Sequence, residues 1–281
     1  MIKTYYLLTK PGIIMGNLIT TAGAFALASK GHFDLWLFLA TGAGLFFVIA
    51  SACVFNNYID READAKMART KNRGFAAGLV SVRSGLTFAI ALGLIGVIVL
   101  AIYTNAIAVS VALFGFFVYV VLYSFWKYRT TYATLVGSIS GAVPPVIGYC
   151  AASHQFDLGA ALLFIILVLW QMPHFFSIAM YRFDDYRAAS IPVLPAEKGN
   201  RVTKIHMMLY IIAFIGAAVM LNVLGYTGYT YLVSALVFGA AWLWLCIKGF
   251  KSDNDRVWAK KMFRLSLVVI MAISIAISVQ L

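Results

Sequence analysis

The sequence predicts an all-α membrane protein, a bundle of nine transmembrane helices with its N-terminus in the cytoplasm. Composition is the first reason: 63% of the residues are hydrophobic and only 11% are charged, whereas soluble domains carry about 25% charged residues. The apolar residues also form long blocks, and the basic residues are sorted between them. A chain this apolar has too little polar surface for water, so lipid is its solvent and the bilayer its partner.

Nine apolar blocks reach or approach the roughly 20 residues that cross a bilayer core. Lipid leaves each backbone polar group to be satisfied within its own segment, so every block is expected to be helical. The predicted helices cover residues 11–29, 35–57, 86–103, 106–125, 132–152, 158–180, 206–224, 229–247 and 263–280.

The basic residues orient the chain. Every Lys and Arg except Lys30 lies in the N-terminal stretch or in the loops after the second, fourth, sixth and eighth blocks. By the positive-inside rule, these regions face the cytoplasm. The net charge of +12 is therefore explained by topology, and no nucleic-acid partner is predicted.

The whole chain, residues 1–281, is predicted to be a single integral-membrane domain. The long polar stretches 58–85 and 181–205 follow the second and sixth blocks, which run in the same direction. This suggests two four-helix repeats, at about 11–125 and 132–247, followed by the ninth helix at 263–280. Because the long loops are all cytoplasmic, the functional site is expected on that face.

The first acidic cluster lies where the second predicted helix meets the cytoplasm. Asp60, Glu62 and Asp64 follow Asn56 and Asn57. Residues four apart share a helix face, so Asn56, Asp60 and Asp64 form one stripe of oxygen-bearing side chains. Carboxylates near lipid are costly and usually functional. Such ligands suit Mg²⁺, which takes one or two carboxylates plus substrate phosphates.

A second acidic cluster lies at the end of the sixth predicted helix. Asp184 and Asp185 occur there, and Tyr181 precedes Asp185 by four residues. The alternative interpretation is that both clusters are solvated helix ends paired with nearby cations. Two clusters on equivalent helices, on the same side, favour a functional site.

Basic residues beside the carboxylates indicate an anionic substrate. Lys66, Arg69 and Arg73 follow the first cluster, and Lys127 and Arg129 end the fourth predicted helix. A diphosphate leaving group fits, because its departure develops negative charge that Mg²⁺, Arg and Lys stabilise. Positive-inside topology explains part of the same basic run.

At these residues the sequence resembles the UbiA-type intramembrane prenyltransferases, whose signature is NDxxDxxxD after the second helix and a DxxxD-like motif after the sixth. Asn57 and Tyr181 each stand where that family has an Asp, and each departure removes a charge; Tyr181 could instead donate a hydrogen bond to a phosphate oxygen. The resemblance covers essentially the whole chain and rests on TKPGIIMGNLIT (9–20), CVFNNYIDREADAKMARTKNR (53–73), GSISGAVPPVIGYC (137–150), WQMPHFFSIAMYRFDDY (170–186) and IPVLP (191–195).

The resemblance is strongest to the branch that farnesylates haem, and it implies that reaction. Farnesyl diphosphate would ionise with the help of Mg²⁺, a vinyl group of haem b would capture the allylic cation, and water would complete the side chain, giving haem O and diphosphate. The implied catalytic residues are Asp60, Asp64, Asp185 and Tyr181. The implied metal ligands are Asn56, Asn57, Asp60, Asp64 and Asp185.

The resemblance also implies a multi-pass protein of the bacterial inner membrane. It leaves open whether a haem-modifying or oxidase-assembly partner docks. His174, four residues after Trp170 in the sixth predicted helix, is a candidate haem contact; the alternative is a hydrogen bond to a neighbouring helix. The alternative functions are prenyl transfer to an aromatic acceptor such as 4-hydroxybenzoate, and transport.

Overall fold

The computed structural model describes residues 2–279, which form helices and contain no strand in that range. Eight helices are long and apolar enough to cross a membrane, which confirms the all-α membrane fold class. The long helices are α1 Pro11–Ser29, α2 Leu35–Ile59, α3 Val82–Tyr103, α4 Ala106–Trp126, α5 Ala133–Ser153, α6 Leu158–Tyr181, α7 Gly199–Val223, α8 Tyr229–Lys248 and α9 Asp255–Ala276.

The ninth helix differs from the prediction. It begins at Asp255, and its first turns carry Arg256, Lys260 and Lys261, so α9 is not among the eight membrane-spanning candidates of residues 2–279. The Asn254 side chain caps it by accepting a hydrogen bond from the Val257 N–H at 3.1 Å, which satisfies an orphan donor of the first turn. The count of nine spanning helices stays a prediction, and residue 280, the predicted end, lies outside the described residues.

Two other helices also begin earlier than the hydropathy predicts. α3 starts at Val82 and α7 at Gly199, against predicted starts at residues 86 and 206. Both first turns are polar, and hydropathy responds to apolar side chains rather than to helical backbone. In α7 the polar turn is held by Lys204, whose ammonium donates to the Gly249 carbonyl at 2.7 Å and pairs with Asp255.

The prolines do not end their helices. Proline inside a helix removes a backbone hydrogen bond and favours a kink or break, yet α5 continues through Pro144 and Pro145 from Ala133 to Ser153, and α6 continues past Pro173. Membrane helices tolerate proline where neighbouring helices pack around the freed carbonyls. α5 is enclosed in this way: a Cβ on Gly148 would lie 2.5 Å from the carbonyl oxygen of Thr21 in α1.

The packing of the helices brings the two functional loops together. α2 packs along α3, α1 along α5, and α6 contacts α5, α7 and α9. On the face where α2 and α6 end, the short helices Arg61–Lys66 and Phe183–Ala188 follow. The loops meet through a small apolar cluster of Ala63, Met67, Ala179, Ala189, Ile191 and Val193.

Candidate active site

The predicted stripe of Asn56, Asp60 and Asp64 stays on one helical face, although the helix is interrupted between them. α2 ends at Ile59 and a short helix begins at Arg61. Helical hydrogen bonds nevertheless continue across the junction, from the Asp60 N–H to the Asn56 carbonyl at 2.9 Å and from the Asp64 N–H to the Asp60 carbonyl at 2.7 Å. The three side chains of the stripe are therefore positioned by continuous helical backbone.

All four polar residues of this motif are buried, and the carboxylates are paired. Each of Asn56, Asn57, Asp60 and Asp64 is only 2% exposed. Asp60 accepts hydrogen bonds from the Lys127 ammonium at 2.5 Å and the Tyr128 hydroxyl at 2.6 Å. Asp64 accepts one from the Arg73 guanidinium at 2.8 Å. Buried charges of this kind persist only when paired and hydrogen-bonded.

Lys10 completes the cluster, and sequence reasoning missed it. It directly precedes α1 in a left-handed backbone conformation, φ 54° and ψ 64°, which is uncommon for a residue other than glycine. Its ammonium donates to the Asn56 Oδ1 atom at 2.5 Å. Strained backbone tends to persist at functional sites, and the Lys-Pro step at the start of α1 was the available signal.

Two tyrosines of α4 line the same site, and sequence reasoning missed one of them, Tyr119. Tyr119 donates to the Asn56 Oδ1 atom at 3.2 Å and stacks on Tyr123 with ring centroids 5.6 Å apart. Both lie in a π-helical segment, Val118–Tyr123. Such segments are rare and frequent at functional sites, but the apolar pattern of α4 does not reveal them.

The cluster holds more positive than negative charge. The cations are Lys10, Arg73 and Lys127, and the carboxylates are Asp60 and Asp64. Burial lowers the pKa of the Lys10 ammonium to about 8. Burial raises the pKa of the Asp60 carboxyl, but Lys127 and Lys10 outweigh it, so the pKa lies below its ordinary value. We call Lys10, Asn56, Asn57, Asp60, Asp64, Arg73 and Lys127 the inner cluster.

Two amide atoms of the inner cluster are buried without a partner. The Asn56 Nδ2 donor and the Asn57 Oδ1 acceptor make no hydrogen bond within residues 2–279, although the Asn57 Nδ2 atom donates to the Leu8 carbonyl at 2.7 Å. Buried polar atoms are normally satisfied. The unused donor, beside excess positive charge, fits a bound anion. The unused acceptor fits a metal ion or a water molecule.

The second acidic cluster lies outside the inner cluster. The Asp185 Oδ2 atom is 4.0 Å from the Arg69 Nε atom, and the Asp184 Oδ2 atom is 3.5 Å from Arg256. Tyr181 packs its ring against Phe263. Across the described chain, no three His, Cys, Asp or Glu side chains converge well enough to hold a metal ion. Asp184 and Asp185 therefore face arginines here.

Two predicted basic residues are not brought into the site. Lys66 is exposed at the end of its short helix. Arg129 is exposed, with its guanidinium over the Phe125 ring at 3.7 Å. Both residues are placed as ordinary interfacial anchors. The sequence had allowed this alternative for some of the basic residues.

His174 is held inside the bundle by α9. Its Nδ1 atom lies 2.7 Å from the Ser266 hydroxyl, which itself lies 2.7 Å from the Phe263 carbonyl. Both contacts are hydrogen bonds only if the hydroxyl donates to the carbonyl and the imidazole N–H donates to the hydroxyl. The Nε2 atom then carries the lone pair. Trp170 stacks on the imidazole with centroids 4.8 Å apart and donates to the Ser266 carbonyl.

Comparison with known proteins identifies the family. The model of the UbiA prenyltransferase family matches residues 17–268. The chain belongs to the UbiA prenyltransferase family. It is accordingly a multi-pass membrane prenyltransferase. Among relatives in this family, it is 51% identical over 277 residues to a protoheme IX farnesyltransferase of Protochlamydia amoebophila, covering 99% of this chain and 98% of that protein.

Further family members agree in sequence and in fold. A protoheme IX farnesyltransferase of Photorhabdus laumondii is 52% identical over 280 residues, covering 99% of this chain and 95% of that protein. A digeranylgeranylglyceryl phosphate synthase shares the fold with a TM-score of 0.81 at 17% identity, covering 99% of this chain and 98% of that one. A UbiA homologue of Archaeoglobus fulgidus, bound to DMAPP and Mg²⁺, has a TM-score of 0.74 at 13% identity, covering 98% and 99%.

Proposed function

We propose that this UbiA-family protein transfers the farnesyl group of farnesyl diphosphate to a vinyl group of haem b, with addition of water, giving haem O and diphosphate. The observation that carries the diphosphate half is the inner cluster, where three half-buried cations face two buried carboxylates. The haem half rests on the relatives, which are named protoheme IX farnesyltransferases at 51% and 52% identity over nearly full length.

The inner cluster is the proposed diphosphate site. Lys127 and Arg73 are paired with carboxylates at 2.5 and 2.8 Å, whereas Lys10 donates to the Asn56 Oδ1 atom and forms no ion pair in the described chain. The unpartnered Asn56 Nδ2 donor adds a neutral hydrogen bond. These donors hold the leaving diphosphate and stabilise the negative charge that develops when the carbon–oxygen bond breaks. Of the other predicted diphosphate contacts, Arg69 lies beside Asp185, while Lys66 and Arg129 stay predictions.

We propose Mg²⁺ as the metal. Asp60, Asp64 and the unpartnered Asn57 Oδ1 atom offer the oxygen ligands that Mg²⁺ takes alongside phosphate oxygens; Asn56 and Asp185 complete the proposed set. When bound, the ion neutralises charge on the departing diphosphate. Support comes from the Archaeoglobus fulgidus homologue bound to Mg²⁺. Asn57 and Tyr181 stand where the family has aspartates, so the protein offers the metal fewer charged ligands. The proposed role of Tyr181 is to donate a hydrogen bond to a phosphate oxygen.

His174 and Trp170 are the proposed haem contacts. A histidine that ligates a metal typically donates its other ring N–H to a fixed acceptor, which sets the tautomer. Ser266 is such an acceptor for His174, at 2.7 Å. Trp170 stacks on the ring and limits its rotation. This arrangement favours a haem contact through the Nε2 atom over a purely structural hydrogen bond.

The proposed location is the bacterial cytoplasmic membrane, with the active face in the cytoplasm. α2, α4 and α6 all end at the face that carries the inner cluster and its flanking loops, and that face holds the basic residues. Water-soluble farnesyl diphosphate headgroups would reach the cluster from this side, while the prenyl chain enters the bundle.

The proposal is tested in membrane vesicles that contain the full chain. Haem b, farnesyl diphosphate and Mg²⁺ are supplied, and the haem products are identified by mass spectrometry. We expect haem O, and its loss on chelation of the metal. Asp60→Asn and Asp64→Asn should lower turnover by roughly 100-fold or more. Glu62→Gln is the matched control, because Glu62 is in the same motif but its side chain is 83% exposed.

Three results would contradict the assignment. If no farnesylated haem forms with or without chelator, the haem acceptor is wrong, and 4-hydroxybenzoate is tried as the aromatic alternative. Wild-type turnover in either aspartate variant, with normal insertion, removes the metal role of that residue. Undiminished turnover in chelator removes the metal altogether.

A further inference from the structure

Gln171 is a buried polar residue of α6 that the proposed diphosphate site does not use. It is only 4% exposed. Its Nε2 atom donates to the Ser138 carbonyl of α5 at 3.1 Å and to the Leu167 carbonyl of its own helix at 3.1 Å. Both N–H bonds are used in this way. The orientation of the amide is therefore fixed, because a flipped amide would place its oxygen against two carbonyl oxygens.

The amide oxygen of Gln171 is left as a free acceptor. It accepts no hydrogen bond from residues 2–279. It lies against Gly141 of α5, where an added Cβ would be 2.0 Å from the Oε1 atom. A buried amide normally satisfies its acceptor as well as its donors. The oxygen is therefore available to a hydrogen-bond donor that is not part of the protein.

A second free acceptor belongs to the residue that the amide oxygen contacts. Pro145 lies inside α5 and has no N–H to donate to the Gly141 carbonyl, four residues earlier, so that oxygen lacks its usual helical partner. The Gln171 oxygen and the Gly141 carbonyl are thus two neighbouring acceptors inside the bundle. A water molecule offers two donors and is stable where it finds two to four polar partners. The two acceptors are suited to hold one water.

The two acceptors lie between the proposed sites of the two substrates. One turn earlier on α5, about 6 Å along its axis, a Cβ on Gly137 would be 3.1 Å from the ring of Tyr123, which lines the proposed diphosphate site. His174, the proposed haem contact, follows Gln171 by three residues, and residues with this spacing are neighbours on a helix surface. Gln171 is therefore placed where the prenyl group and the porphyrin meet.

We propose that the Gln171 oxygen and the Gly141 carbonyl hold the water molecule that the farnesylation of haem consumes. The proposal rests on the proposed function, which needs one water among two largely apolar substrates. With both hydrogens donated to these acceptors, the water presents an oxygen lone pair to the substrate. Gln171 thus decides where the hydroxyl group of the product is added.

The reaction balances with this water as the nucleophile. When the carbon–oxygen bond of farnesyl diphosphate breaks, diphosphate keeps the electron pair. The vinyl π electrons form the new carbon–carbon bond, which leaves a cation on the vinyl carbon next to the porphyrin. The lone pair of the water forms the carbon–oxygen bond there, and the released diphosphate takes up the proton that the water loses. Without an oriented water, the cation loses a proton from carbon and gives an alkene, which is one water molecule lighter than haem O.

The products formed by variants of the full chain in membrane vesicles test the role of Gln171. Each variant is supplied with haem b, farnesyl diphosphate and Mg²⁺, and mass spectrometry gives the ratio of alkene to haem O. In Gln171→Met, which has no amide oxygen, this ratio should rise about tenfold. Gln171→Glu should keep the wild-type ratio, because a buried, unpaired carboxyl stays protonated and retains one carbonyl oxygen and one donor. The ratio does not depend on how much of the protein folds.

Two further variants separate the water site from a structural role. Gly141→Ala retains the glutamine but adds a methyl group 2.0 Å from the Oε1 position, so the amide must move, and the ratio should rise as in Gln171→Met. Ser177→Ala is the matched control, because Ser177 is buried on the same helix and its hydroxyl donates to the His174 carbonyl at 2.7 Å. Its ratio should equal that of wild type.

An unchanged ratio in Gln171→Met or in Gly141→Ala, whatever the rate, would overturn the proposal and leave Gln171 as a hydrogen-bonded link between α5 and α6. If Gln171→Met forms no product, the ratio in Gly141→Ala decides alone. Failure of the proposed function is a different result, since wild type would then form neither haem O nor the alkene.

Discussion

Lys10 shows how much a single side chain adds to the motif that surrounds it. The stripe of Asn56, Asp60 and Asp64 supplies acceptors, but the half-buried Lys10 gives the site its excess of positive charge. Its left-handed backbone directs the side chain to Asn56, 46 positions away in the sequence. An anion is favoured there because the other two cations are already paired with Asp60 and Asp64.

The charge of Lys10 predicts a pH dependence. With a pKa of about 8, the ammonium is charged below that pH and is lost as the pH rises through it. Since the charged form attracts diphosphate, the KM for farnesyl diphosphate should be flat at lower pH and rise up to about tenfold per pH unit above the pKa. The measurement is the KM from about pH 6.5 to about pH 9.5.

Lys10→Arg is the control for this profile, because a guanidinium stays charged throughout the range. The variant should bind farnesyl diphosphate with a KM that does not change with pH. Lys10→Met should have, at every pH, a KM as high as the one that wild type reaches only above the pKa of Lys10, without the inflection. A wild-type KM that stays level through the whole range would show that Lys10 does not contact the diphosphate.

At the scale of elements, close packing of α2 on α3 holds the motif in place. A Cβ on Gly96 of α3 would lie 2.7 Å from the backbone nitrogen of Val48, and one on Gly44 of α2 would lie 2.7 Å from the Leu100 side chain. Small residues let membrane helices approach this closely. The position of Asn56 and Asp60 at the end of α2 depends on that approach.

Gly96→Ala should therefore destabilise the protein, by about 1–3 kcal/mol for an overpacked contact. The added methyl meets backbone, which cannot move aside cheaply. Thermal unfolding of the purified protein in detergent measures the effect. Gly42→Ala is the matched control on α2, since a Cβ there meets nothing within 4 Å, and it should be near neutral. Equal melting temperatures for Gly96→Ala and wild type would show that the two helices can separate without cost.

At the scale of the whole molecule, the helices gather two loops into one functional face. α2 and α6 end on the same side, and the apolar contact between Met67 and its neighbours joins their loops. The same face carries almost all the basic residues. The proposed diphosphate site and the proposed cytoplasmic orientation therefore depend on each other, because reversing the topology would move the site to the other side of the membrane.

Labelling of single cysteines tests that topology. Cys53, Cys150 and Cys246 are buried, so the background is low. Lys30→Cys, after α1, should react with a membrane-impermeant maleimide added from the periplasmic side. Lys251→Cys, after α8, should react only in inverted vesicles or after permeabilisation. The reverse pattern would place the N-terminus and the active face outside the cytoplasm. The two-repeat division of the chain stays a prediction.

The sequence by itself determined the fold class, the helix-end motif and the residues Asp60 and Asp64, because hydropathy and the four-residue helical spacing are local properties. The sequence did not predict where α3, α7 and α9 begin, because their first turns are polar and hydropathy detects only apolar residues. Only the tertiary structure decided that Lys10, Tyr119 and Lys127 converge on the motif and that Asp184 and Asp185 turn instead toward arginines. Lys127 and Asp60, for example, are 67 positions apart, and helix packing, not local pattern, sets such contacts.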